Sequence, residues 1–97
     1  MAVTQSTSIV IKMSAAADAV TGIINVNFLL WHSPTANAGD TLLVKDAAGN
    51  VLWADNADGT YYKNFCPLKN RVNGITITTM TSGTLYVYKA AELPGQY

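Results

Sequence analysis

The chain has 97 residues, enough for one domain with a small core. Charged residues are 12% of it, about half the roughly 25% usual in soluble domains, and they cancel to a formal net charge of +0. Its scattered basic residues form no phosphate-tracking stripe, which argues against nucleic acid, and the lone Cys66 excludes an intrachain disulfide framework and points to a reducing compartment during assembly.

Residues 1–7 are small and polar and are expected to form a flexible arm. They carry no charged leader ahead of a long apolar run, and no segment approaches bilayer-spanning length, so neither conventional secretion nor a membrane location is expected. Residues 8–13 alternate Ile9, Ile11 and Met13 against Val10 and Lys12, a first strand. Residues 14–19 are too short a run for a stable isolated helix and read as a surface loop. Over residues 21–31, Ile24, Val26, Phe28 and Leu30 share one face of a long strand, and Ile23, Asn25, Asn27, Leu29 and Trp31 share the other. Residues 32–40 form a loop, marked by Pro34, Asn37 and Gly39.

Residues 41–53 read as a hairpin around Asp46, Ala47, Ala48 and Gly49, a four-residue loop that pairs Val44 with Val51 and Leu42 with Trp53. Leu43 and Leu52 then fall on the other face, so the hairpin is apolar on both sides, as when one face meets the core and the other a second sheet or subunit. A turn at 55–59 precedes a strand over 60–65, with Tyr61, Lys63 and Phe65 opposite Tyr62, and residues 66–70 lead into a final hairpin over 72–88. There a loop of Thr81, Ser82 and Gly83, with Gly83 left-handed, pairs Met80 with Thr84 and sets Ile75, Ile77, Leu85 and Val87 on one face. The opposite face carries Thr76, Thr78, Tyr86 and Tyr88. Residues 90–97 are a tail that Pro94 keeps out of a ladder. Short strands, frequent turns and no convincing helix predict a single all-β domain over 1–97: a small antiparallel β-sandwich, jelly-roll-like unit or barrel.

Chemistry is sparse. His32, Ser33 and Asp40 lie close in sequence, yet a nucleophilic triad needs a strained elbow and an oxyanion hole, and no G-x-S-x-G pattern is present. Asp55 and Asp58 ahead of Gly59 lack calcium-loop spacing and a bidentate Glu, so an Asx turn explains them and no metal is expected. Cys66 has no activating partner in sequence and reads as a structural thiol. No catalytic residue, enzyme activity or cofactor is expected. The aromatic residues remain: Trp31 and Trp53 suit a core, an interface or a sugar-stacking platform, and the tyrosines suit an interface. Alternation selects Trp31, Tyr62, Thr76, Thr78, Tyr86 and Tyr88 as the candidate protein interface. A neutral, charge-poor exterior favours association, so a homo-oligomer, trimer or dimer, is expected.

The stretches TSIVIKMSAAADAV, DAAGNVLWA and VNGITITTMTSGTLYVY resemble small virion proteins of tailed bacteriophages, most closely capsid decoration (cement) proteins and similar head-associated β-domains. The resemblance implies a β-sandwich or jelly-roll unit that oligomerises on the outer head surface and ties major capsid subunits together. It places the chain in the virion, and in the host cytoplasm during assembly. Alternative expectations are another virion component, such as a head-tail adaptor, tail or fibre-base protein, and a carbohydrate-binding β-module.

Overall fold

The structure, a computed structural model, describes residues 2–3 and 10–90. Its strands are β1 (Ala2–Val3), β2 (Val10–Met13), β3 (Ala19–Ser33), β4 (Thr41–Lys45), β5 (Val51–Asn56), β6 (Tyr62–Met80) and β7 (Thr84–Lys89). Six of them form one antiparallel path, β2-β7-β3-β6-β4-β5, and β1 pairs in parallel with the start of β3. The chain is all-β, as its alternation predicts. Ala2 and Val3, expected within a flexible arm, instead pair with Ala19 and Val20. The rest of that arm and residues 91–97 of the expected tail lie outside the described residues.

Two long bent strands organise the sheet. β3 presents Val20, Ile24 and Val26 to the core, then carries one extra residue against β7 between Val26 and Phe28. That bulge reverses the alternation, so Leu29, Trp31 and Ser33 are buried while Phe28, Leu30 and His32 turn outward. The unbroken alternation expected over 21–31 is therefore corrected: Phe28 and Leu30 leave the dry face and Trp31 enters it. β6 runs 19 residues straight through the segment expected to link two strands. Pro67 is tolerated within it because this part of β6 has β3 on one side only. The pairing changes hands at Thr76, which lies opposite Ala19 of β3 and Lys45 of β4.

The hairpin expected over 72–88 does not form. β6 ends beside β4, β7 lies between β2 and β3, and the loop of Thr81, Ser82 and Gly83 carries the chain across the core between them. Gly83 does take a left-handed φ of 83°. It also packs so closely on β3 that a Cβ there would sit 2.6 Å from the His32 carbonyl oxygen. Ile75, Ile77, Leu85 and Val87 are all fully buried, as expected, but they belong to strands that share no ladder. The same inward-facing pattern serves a hairpin or a crossing corner, so periodicity leaves the pairing partner open.

Polar contacts fix this corner. Trp31 Nε1 donates to the Ser82 carbonyl at 2.9 Å, the Ser33 and Ser82 hydroxyls meet at 2.6 Å, and Ser82 Oγ donates to Asp40 Oδ2 at 2.8 Å. These bonds bring the end of β6 back to the end of β3, so the sheet curls over one apolar face. The buried cluster there draws on β2 (Met13), β3 (Ile24, Trp31), β4 (Leu42, Val44), β6 (Ile77) and β7 (Leu85).

The β4–β5 hairpin forms with a different register. Asp46 accepts from the Ala48 and Asn50 amides and the Asp46 amide donates to the Asn50 carbonyl, so Lys45 pairs with Val51. An extra residue at Leu52 then pairs Val44 with Trp53 and Leu42 with Asp55. Loop 14–17 is a turn, with the Ser14 and Ala15 amides donating to the Asp18 carboxylate.

Candidate functional site

The bulge in β3 determines what the outer face displays. Register places Val10, Tyr88, Phe28 and Pro67 in one row across β2, β7, β3 and β6, with Lys12, Tyr86, Leu30 and Phe65 in the next. Thr84, His32 and Lys63 complete a third row. The Phe28 ring stacks on Tyr88 with centroids 4.3 Å apart and meets Phe65 edge-on at 5.9 Å. Phe28, Leu30, Lys63, Phe65 and Tyr88 line a shallow open groove of about 290 Å³. Phe65 is 60% exposed, an unusual state for a large apolar ring on a sheet face.

Of the candidate interface residues, Tyr86 and Tyr88 lie on this face. Trp31 does not: it is fully buried and hydrogen-bonded to Ser82, which removes it from interface and sugar-stacking roles alike. Tyr62 lies opposite Ser33 on the inner side of β6, edge-on to Trp31 at 5.4 Å. Its hydroxyl donates to the Asp55 carboxylate at 2.9 Å; burial first, then that hydrogen bond and the Asp55 charge, push the phenol above its ordinary range. Tyr62 thus closes the rim of the core. Thr76 sits at the β3-to-β4 handover and Thr78 in a bulge where β6 meets β4, so neither neighbours Tyr86 or Tyr88. The four would share one face only in a β6–β7 hairpin, and those strands are not neighbours.

Sequence reasoning missed Phe28, Leu30, Lys63 and Phe65 as site residues. Phe65 and Lys63 were legible as one face of their strand, but nothing local paired that face with β3. Regular alternation points Phe28 and Leu30 inward, because an inserted residue leaves no mark on composition.

The remaining polar groups do not converge. Ser33 and Asp40 are joined through Ser82, whereas His32 projects from the other face of β3. The Asn37 amide, then the Ser82 hydroxyl, hold the Asp40 carboxyl below its usual range. Asp55 accepts from Tyr62, Asn64 and the Asn56 amide. Cys66, half-buried on the inner side opposite Leu29, has its thiol pushed up by burial, the reverse of activation. Among the described residues no cluster of three His, Cys, Asp or Glu side chains is placed to hold a metal, and no helix is long and apolar enough to cross a membrane. No family model, curated protein or solved structure matches the chain.

Proposed function

We propose that this chain is a structural docking protein whose outer sheet face seats on a protein partner, and that the partner is the major capsid protein of a tailed phage. The observation that carries the docking reading is the aromatic groove of Phe28, Phe65 and Tyr88, held open on a sheet face rather than packed inward. The choice of a capsid follows from the resemblance of the strand and turn segments to decoration proteins. In this reading the chain coats the outer head surface as a homo-oligomer, trimer or dimer, after folding in the host cytoplasm.

The energetics suit a surface that waits for a partner. Covering the exposed part of Phe65 removes roughly 120 Å² of apolar surface, worth about 3 kcal/mol. That corresponds to roughly 100- to 150-fold in affinity for each seated copy. Mass spectrometry and copy counting of particles purified from the phage encoding the gene test the assignment. Hundreds of copies per particle are expected of a capsid coat; a handful would indicate the head-tail junction or tail instead, and absence from the particles overturns the virion role.

A further inference from the structure

The charge around the groove narrows the partner further. Lys63 lines the groove, and exposed Lys12 lies directly opposite Tyr86 from β2. The five described carboxylates are elsewhere. Asp18 is bonded to the amides of Ser14 and Ala15 before β3, Asp40 to Ser82, Asp46 to Asn50 in the β4–β5 turn, and Asp55 to Tyr62 on the inner rim; Asp58 lies in the loop after β5. Neither Lys12 nor Lys63 has an acidic partner among the described residues. A net-neutral chain therefore shows a cationic, aromatic outer face.

Area bears on the occupant. At 60% exposure Phe65 offers roughly 120 Å², and its half-buried neighbours each offer less, for a total of a few hundred Å². A stable dimer buries about 800 Å² per partner, so the groove is too small to be the whole of a self-association interface. Two copies meeting face to face through it would also bring Lys12 and Lys63 of each against like charges.

We infer that the groove receives an extended acidic segment of the partner protein, with an apolar side chain seated between Phe28, Phe65 and Tyr88 and carboxylates beside Lys12 and Lys63. The inference rests on the docking reading above and names the chemistry of what docks. Rings supply the anchor; the lysines supply sign selection and salt dependence.

The test is selection of a random heptapeptide display library on the immobilised full chain. Binders of net negative charge carrying a Leu or aromatic residue are expected, weakened at least tenfold by Phe65→Ser and by raising NaCl from 50 to about 500 mM, roughly from a 14 Å to a 4 Å screening length. The double variant Lys12→Glu and Lys63→Glu is expected to reverse the preference to basic peptides. All three positions, Lys12, Lys63 and Phe65, are exposed, and thermal melts confirm that each variant is folded. Neutral or basic binders on the unsubstituted chain, no enrichment over Phe65→Ser, or an unchanged preference in the double variant overturns the inference. Particle incorporation separates the two readings: loss with Phe65→Ser but not with the double variant removes the acidic partner and leaves the docking face. Incorporation unaffected by either removes the docking face as well.

Discussion

Replacing Gly83 by alanine tests the crossing corner on which the fold depends. The left-handed backbone alone costs an L-residue about 1–2 kcal/mol. The new Cβ would also lie 2.6 Å from the His32 carbonyl oxygen, 2.6 Å from Ser33 Cβ and 2.8 Å from Ser33 Cα, none of them the movable end of a flexible side chain. Relief requires β3 and the loop to separate, which stretches the Trp31–Ser82 hydrogen bond and forfeits about 1 kcal/mol more. Overpacking the corner costs about 1–3 kcal/mol besides, so the total, about 3–6 kcal/mol, is a large part of the ~5–15 kcal/mol that holds a domain of this size. At about 4–8 °C per kcal/mol, Tm should fall by roughly 15–45 °C. Gly49→Ala is the matched control, because Gly49 has a φ of 91° and nothing within 4 Å of a built Cβ. It should lose only the backbone cost, roughly 5–15 °C. Circular dichroism melts of both variants at pH 7 decide the matter: equal shifts would show that Gly83 does not pack against β3 and would restore a hairpin as the better reading of residues 72–88.

Trp31→Phe keeps most of the buried ring but orphans the Ser82 carbonyl, so urea unfolding should show a loss of about 2–4 kcal/mol, with Ser82→Ala losing less because its carbonyl remains. Asp40 has a lowered folded-state pKa, so its stabilisation is complete above the unfolded value of about 3.9 and disappears as pH falls through the lower folded value. Urea midpoints between pH 5 and about pH 2 should therefore fall less steeply in Asp40→Asn than in the unsubstituted chain, and parallel slopes would contradict the Asn37 and Ser82 contacts. Cys66 should react with a disulfide reagent at pH 8 more slowly than free glutathione and at the free-thiol rate once urea unfolds the chain, since burial raises its pKa and withholds the thiolate.

What was legible in the sequence, and what was not, follows from the range of each signal. Asp46 and Gly49 announce their turn because side chain and backbone act within five residues, and that turn forms. Ile11, Met13, Leu42 and Val44 alternate correctly because each short strand is regular from end to end. Pairing partners are another matter: Leu85 and Val87 are buried whether β7 lies beside β6 or beside β3, and the choice is made by contacts such as Trp31 to Ser82, 51 residues apart.

The candidate site depends on the least legible feature of all. Regular pairing from Ile24 onward would bury Phe28 and Leu30 and turn Trp31 out to solvent with its indole N–H. The extra residue at Asn27, with a matching irregularity in β6 between Pro67 and Asn70, exchanges those roles. Trp31 then enters the core, where its N–H needs an acceptor, and the corner at Ser82 supplies one. Phe28 turns outward and completes a face with Tyr88 and Phe65. One inserted residue thus sets both the anchor of the crossing loop and the composition of the groove, so the tight corner and the aromatic face are consequences of the same bulge.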